Sequence, residues 1–184
     1  GMTFEAPFFA VSPMLVIDSA AGAVCCDQLV VAGIKISASN NVHLRTTTSR
    51  PSTNVVGGYP GLALENSNAE VSASSIVGGV ESSGVTGLPG VTMAGGHAVF
   101  CSSAVAGGGG LTAPSAAGSG GDGVRLDRGT IAVFGGRIRG GDGGNRNIGR
   151  GAPGGDGIEA RSGSILLRGT LLSGGAGGSP NGVP

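Results

Sequence analysis

The sequence contains no Trp, a single Tyr, only three Cys and no excess of either charge sign. Three cysteines, two of them adjacent as Cys25-Cys26, do not make a disulfide framework, and we expect free, partly buried thiols. The formal net charge of zero lacks the basic excess of nucleic-acid and membrane-surface binders. No apolar run approaches the roughly 18 residues of a transmembrane helix. We therefore predict no nucleic-acid partner and no membrane insertion.

Glycine is what the sequence has in abundance. Of 184 residues, 40 are Gly and 9 are Pro, a share that suggests a disordered chain if it is not organised by a repeat. Hydrophobic residues still make up 39% and charged residues only 12%, which is not the composition of a solvated coil. The length fits one domain.

A repeat organises the glycines. Residues 121–144 align without gaps on residues 155–178, with ten identities over 24 positions at an offset of 34. Residues 61–79 and 90–108 fit the same frame, and a fainter copy with an insertion spans 33–58. Each copy closes on Gly-Gly, and five copies make the repeat a strong indication of a stacked architecture.

Apolar and polar residues alternate inside each copy, which is the period of two expected of strands. Aligned apolar columns read Leu62, Val91, Val124, Ile158; then Leu64, Met93, Leu126, Ala160; Ala69, Ala98, Ile131, Ile165; Val71, Phe100, Val133, Leu167; and Ile76, Val105, Ile138, Leu172. The fourth copy predicts three short strands near 124–127, 130–134 and 137–139. Gly129 and Gly135-Gly136 would form the bends between them, where glycine tolerates positive φ.

Stacking the copies turns each column into a continuous apolar ridge, so the sequence predicts an all-β fold, a parallel β-helix of about five or six coils with Gly-rich loops on one side. The three-strand pattern over roughly residues 33–178 resembles the right-handed parallel β-helix of the pectate-lyase-like superfamily, and that resemblance implies the right hand. Residues 1–32 are predicted to be a cap with an irregular first coil, and 33–184 the repeats of the same single domain. The start of a further copy at 181–183 suggests one segment of a longer protein.

Two other folds compete with this prediction. A β-sandwich with Gly-rich hairpins disagrees with columns kept in frame over several copies, since sandwich strands differ from one another. A bundle of polyproline II helices needs glycine at every third residue, and the strand segments contain almost none.

The segments between the copies vary and lengthen along the chain, through 80–89, 109–122 and 142–156. All leave from the same corner, so they should stack on one side, where repeat proteins usually bind partners. The candidate site residues are polar residues on this side and on the adjoining strand faces: Asp122, Asp156, Asp142, Arg125, Arg137, Arg139 and Glu159. The structural alternative is that Arg125 with Glu159, and Asp127 with Arg161, form ion pairs between neighbouring copies.

Asp122 and Asp156 are the most suggestive pair, because they share one column one strand spacing apart. Two carboxyls at that distance could serve a retaining glycosidase or chelate calcium. Pro60 and Pro89 hold the same column in earlier copies, so we favour a turn whose Asp side chain bonds nearby backbone.

Other site chemistry has little support. His43 and His97 lie in different copies without metal-ligand spacing, and we interpret them as surface residues. There is no phosphate-binding GxxxxGK[ST] motif, and the Gly-Asp-Gly segments do not fit the calcium nonapeptide repeat. We predict no metal and no cofactor.

The resemblance implies a polysaccharide lyase or hydrolase, but no catalytic motif of that superfamily matches residue by residue. We favour a non-enzymatic secreted or cell-surface module whose loops bind a glycan or a protein. No signal peptide is visible. The alternatives are a lyase or hydrolase acting on an acidic polysaccharide and a piece of a homo-oligomeric fibre. From Met93 onward eight residues are basic and five acidic, a balance suited to an acidic glycan.

Overall fold

The computed structural model describes residues 2–4, 15–18, 24–27, 30–49, 58–81, 85–112, 117–146 and 150–179. Within these ranges every regular element is a strand and none is a helix, which confirms the all-β prediction. A helix suited to crossing a membrane is accordingly not found in the described part of the chain. The strands are β1 (Met2–Phe4), β2 (Leu15–Asp18), β3 (Val24–Asp27), β4 (Val30–Val31), β5 (Ile34–Ser37), β6 (Val42–Arg45), β7 (Thr48–Ser49), β8 (Leu62–Ser72), β9 (Ser75–Val77), β10 (Val91–Ala106), β11 (Val124–Arg139), β12 (Ile158–Ala160), β13 (Ser164–Arg168) and β14 (Leu171–Ser173).

The strands form three parallel stacks. The first contains β2, β5, the beginnings of β8, β10 and β11, and β12. The middle stack contains β1, β3, β6, the later part of β8, the central parts of β10 and β11, and β13. The third contains β4, β7, β9, the ends of β10 and β11, and β14. Residues 15–31, before the repeats, thus already contribute one strand to each stack.

The core is the set of apolar columns predicted from the sequence, except in the last copy, where Ala160, Leu167 and Leu172 are exposed. Leu62, Val91 and Val124 are Cα partners in register, and each is at most 1% exposed. Val133 lies between Phe100 and Leu167 as predicted and is 2% exposed, whereas its neighbour Phe134 points outward at 38%. The strand register inferred from the sequence is therefore confirmed.

The predicted strand boundaries are wrong in three copies, because Leu62–Ser72 also joins the first two of the three predicted strands. Val91–Ala106 and Val124–Arg139 are continuous bent strands of 16 residues, not three short ones. The bends occur where expected, since Gly129, Gly135 and Gly136 have φ of 112°, 71° and 82°. Neighbouring copies keep their ladder hydrogen bonds close to these bends, so pairing continues around the corner and the strand does not end there.

Earlier copies make the same corners with a buried hydroxyl in place of glycine. Ser74 is 4% exposed and follows Ala73, whose φ is 48°. Its hydroxyl donates to the Ser72 carbonyl at 2.7 Å and accepts the Thr47 N–H of the preceding copy at 3.0 Å. Ser103 repeats the arrangement one copy later, accepting the Ser74 N–H at 3.2 Å. The hydroxyls satisfy backbone groups that the bend removes from the ladder.

Candidate functional site

The segments between copies pack into an ordered edge of the molecule, here called the loop edge, formed by the described residues 78–81, 85–90, 107–112, 117–123, 140–146, 150–157 and 174–178. One backbone ladder crosses it, alternating between segments that leave the third stack and segments that return to the first. Gly108 donates to the Leu88 carbonyl at 2.8 Å, Gly121 to Gly108 at 2.8 Å, and Gly141 to Gly121 at 2.7 Å. Gly155 and Gly175 continue the ladder. The prediction that the loops stack on one side is confirmed.

A second ladder lies three residues away along every segment. Gly118 donates to Leu111 at 3.1 Å, Gly144 to Gly118 at 2.8 Å, and Ala152 to Gly144 at 3.0 Å. A repeat of three residues is that of a polyproline II helix, in which glycine permits close backbone contact. The loop-edge hydrogen bonds share that spacing of three residues with the glycine-rich helices excluded for the strands. A period of three was expected only within strand segments, whereas the spacing occurs between the copies.

Glycine is required at the loop edge because backbones touch. A Cβ built on Gly141 would meet the Gly108 carbonyl oxygen, and one on Gly121 would meet that of Leu88. Both contacts fall far below 3.0 Å, the limit that real Cβ atoms respect.

Asp122, Arg125 and Glu159 are brought together where the loop edge joins the first stack. The Arg125 guanidinium bonds Glu159 at 2.7 Å and Asp122 at 2.8 Å, and Asp127 contacts Arg161 at 3.3 Å. The predicted ion pairs between copies are thus confirmed. Partial burial lowers the pKa of Arg125, but the hydrogen bonds and charges of Asp122 and Glu159 outweigh it, so the pKa lies above its ordinary value.

Asp122 and Asp156 do not meet through their carboxylates. The Asp122 side chain is 11% exposed, and its Oδ1 accepts the backbone N–H of Asp156 at 3.0 Å while Oδ2 faces Arg125. Asp156 itself is exposed. Asp122 therefore caps the corner of the following copy, and its side chain bonds the backbone of the next copy in place of the expected bond within its own turn.

The same use of a side-chain oxygen recurs further out. Asp142 Oδ1 accepts the Ala176 N–H at 2.8 Å and also the Arg139 guanidinium. Asn145 Oδ1 accepts the Ser179 N–H at 2.8 Å, again 34 residues on. The Ala176 hydrogen bond, followed by the Arg139 contact, lowers the pKa of Asp142. These polar residues tie one copy to the next.

The seven candidate residues therefore do not form one site. Asp122, Arg125 and Glu159 form one cluster, and Arg139 with Asp142 form another. Arg137 is exposed on the outer face of the third stack, with no ion pair among the described residues. No group of three His, Cys, Asp or Glu suited to a metal ion occurs in the part of the chain that the structure describes. Cys25 is exposed, not partly buried as expected, while Cys101 is half-buried.

Comparisons with protein-family models, with curated proteins and with solved structures gave no match for this chain.

Proposed function

We propose that the chain is a right-handed parallel β-helix of five or six coils that acts as a rigid, non-enzymatic module at the cell surface or outside the cell. Its loop edge presents a fixed surface to a glycan or protein partner. Six strands in register in the first stack support the number of coils. The strong preference of parallel crossover connections for the right hand supports the handedness.

The observation that carries the proposal is the double ladder of the loop edge. Backbone hydrogen bonds at two positions, three residues apart, hold each segment to its neighbours. A surface fixed in this way does not have to be ordered when a partner binds, which removes one of the main costs of association. Exposed residues such as Thr112, Pro153 and Asp156 lie on it and are available for contact.

The state of the carboxylates favours binding over hydrolysis. A glycosidase needs one carboxyl as acid and another as base or nucleophile, both facing the scissile bond. Here Asp122 and Glu159 share Arg125, and Asp142 is held by Arg139 and a backbone N–H. Carboxylates engaged in this way support a role in holding the copies together.

A panel of neutral and acidic polysaccharides tests the proposal. We expect saturable binding without turnover, weakened by Pro153→Arg on the loop edge and unchanged by Phe134→Ser on the outer strand face. Steady growth of the ultraviolet absorbance of an unsaturated sugar, or of reducing ends, would show a lyase or a hydrolase and overturn the non-enzymatic assignment.

A specific observation also favours the fibre alternative. Phe134, Leu166 and Leu171 point outward from the middle and third stacks and are 38%, 55% and 76% exposed. Exposed apolar side chains grouped in this way are typical of protein interfaces. Light scattering of the wild type and of Leu171→Ser tests it: a trimer that the substitution dissociates would support a fibre piece, and a monomer in both would exclude it.

A further inference from the structure

A shallow groove of about 180 Å³, apolar over most of its surface and bordered by polar side chains, lies on the outer face of the middle stack, away from the loop edge. It crosses three copies, from β6 through β8 to β10. His43 and Glu70 are Cα partners, and so are Asn68 and His97. Because Asn68 and Glu70 are two residues apart on β8, both point outward, with the buried Ala69 between them. The two partner pairs therefore border one groove.

One wall of the groove is fixed by hydrogen bonds. His43 Nδ1 lies 3.2 Å from Glu70 Oε2, and His43 Nε2 lies 2.8 Å from Asn41 Oδ1. Both ring nitrogens face oxygen atoms, and a neutral imidazole donates to one of them, which orients the ring beside Glu70. A preorganised polar group loses less entropy when it binds a ligand.

Other polar atoms of the groove keep free hydrogen-bonding capacity. Asn68 uses its Nδ2 on Asn40 at 2.9 Å, which leaves its Oδ1. Glu70 Oε1 has no partner within the described ranges, and neither has the exposed imidazole of His97. Donors and acceptors thus stand on neighbouring strands, at the spacing of about 4.8 Å that separates them.

The charges of the groove select among ligands. None of its lining residues is Lys or Arg, and its one carboxylate, Glu70, is paired with His43. An acidic glycan would find no cation there and would face that carboxylate. A neutral ligand rich in hydroxyls can both donate to Glu70 and Asn68 and bond His97.

We propose that this groove is a binding site for a neutral oligosaccharide, contacted by Asn68, Glu70 and His97 and kept in shape by His43. The inference rests on the proposed glycan-binding function and adds to the loop edge a second contact surface for a glycan, with a stated ligand class.

The chain has two histidines, and both line the groove. Imidazole NMR signals of the full chain therefore report on this site alone. We expect titration with cellohexaose or maltohexaose to shift both histidines saturably, and trigalacturonate to shift neither. Asn68→Ala and Glu70→Ala should each weaken binding about tenfold, since each removes a hydrogen bond to the ligand. Thr130→Ala, in the column of His97 one copy on, should leave affinity unchanged.

Two results would overturn the groove while leaving the proposed function intact. One is calorimetric binding of an oligosaccharide with unmoved histidine signals, which places the ligand elsewhere. The other is a larger histidine shift with trigalacturonate, which contradicts the neutral ligand. Absence of binding by every saccharide would overturn both the groove and the glycan form of the proposed function. An unchanged circular dichroism spectrum of Asn68→Ala would show that the variant is folded, so that its loss of affinity reflects the missing side chain.

Discussion

The strand stacks and the loop edge belong to the same repeats but are held together by opposite means. In the stacks, side chains fill the interior: Phe100, Leu126 and Ile131 are each at most 1% exposed. At the loop edge carbonyl and N–H groups of neighbouring segments meet directly, as in the bond from Gly141 to Gly121 at 2.7 Å. One region depends on apolar burial, and the other on backbone hydrogen bonds at very close approach.

This difference reverses what each region tolerates. Truncating a core side chain, or replacing it by a polar or charged one, should destabilise the stacks, because the dense interior offers a charge neither space nor a partner. Addition of a side chain should damage the loop edge, where a single methyl group collides with a carbonyl oxygen. Stability measurements on matched variants can therefore test, in each region, whether burial or close backbone contact stabilises it.

The largest effect is expected from Val133→Asp. The substitution buries an unpaired carboxylate between Phe100 and Leu167, and we expect a loss of more than about 4 kcal/mol in the free energy of unfolding. Coils stacked on each other share this core, so urea unfolding should show several coils lost together.

The neighbouring residue supplies the control. Phe134→Ser changes an outward side chain that is already 38% exposed, and we expect a change within about 1 kcal/mol. Equal losses in the two variants would mean that the strand register is displaced by one residue.

The next effect tests the loop edge with Gly141→Ala. The new Cβ would overlap the Gly108 carbonyl, and because the obstacle is backbone, relief requires moving a neighbouring segment. We expect a loss of about 3 kcal/mol in the free energy of unfolding. Gly109→Ala is the matched control, since its Cβ would find the nearest atom at 3.7 Å. A Gly141→Ala protein that melts with the wild type would show that the loop edge is not closely packed.

A smaller effect concerns the corners, where hydroxyls of the early copies give way to glycines in the later ones. Ser74→Ala leaves the Thr47 N–H and the Ser72 carbonyl without their partner. We expect a loss of about 1–2 kcal/mol. Ser75→Ala, which changes an exposed hydroxyl in the next position, should be neutral. If Ser74→Ala is equally neutral, the hydroxyl ladder does not stabilise the corner.

The sequence predicted the stacks far better than the loop edge for a physical reason. Apolar columns such as Val71, Phe100 and Val133 record burial directly in residue type, so alignment of copies was enough to assign register. Contacts at the loop edge are between backbone groups, which are the same in every residue type and therefore leave no pairing pattern in the sequence. Glycine at these positions indicates only that neighbouring backbones lie close together. The groove around His43 and Glu70 was missed because its residues come from copies of different spacing, 27 residues apart. Only the pairing of the faint copy at 33–58 with β8 places His43 beside Glu70.

The smallest effect is a pH dependence at the loop edge. The folded pKa of Asp142 is lowered by the Ala176 N–H and then by Arg139, so its ionised form stabilises the fold. That contribution is complete above the ordinary pKa of 3.8 and is lost as the pH falls below it, through the folded pKa. Because the side chain is half exposed, solvent reduces the contribution. We expect Asp142→Asn to melt at a slightly lower temperature than the wild type at pH 7, and the difference to shrink as the pH falls below 3.8. Thermal melting of both proteins over this pH range measures it.

Asp156→Asn removes the same charge from the same edge without removing a side-chain contact seen in the described residues, and should follow the wild type at every pH. If the gap between Asp142→Asn and wild type stayed constant with pH, the ionised carboxylate would have no part in holding Ala176, and the loop edge would depend on its backbone ladders alone.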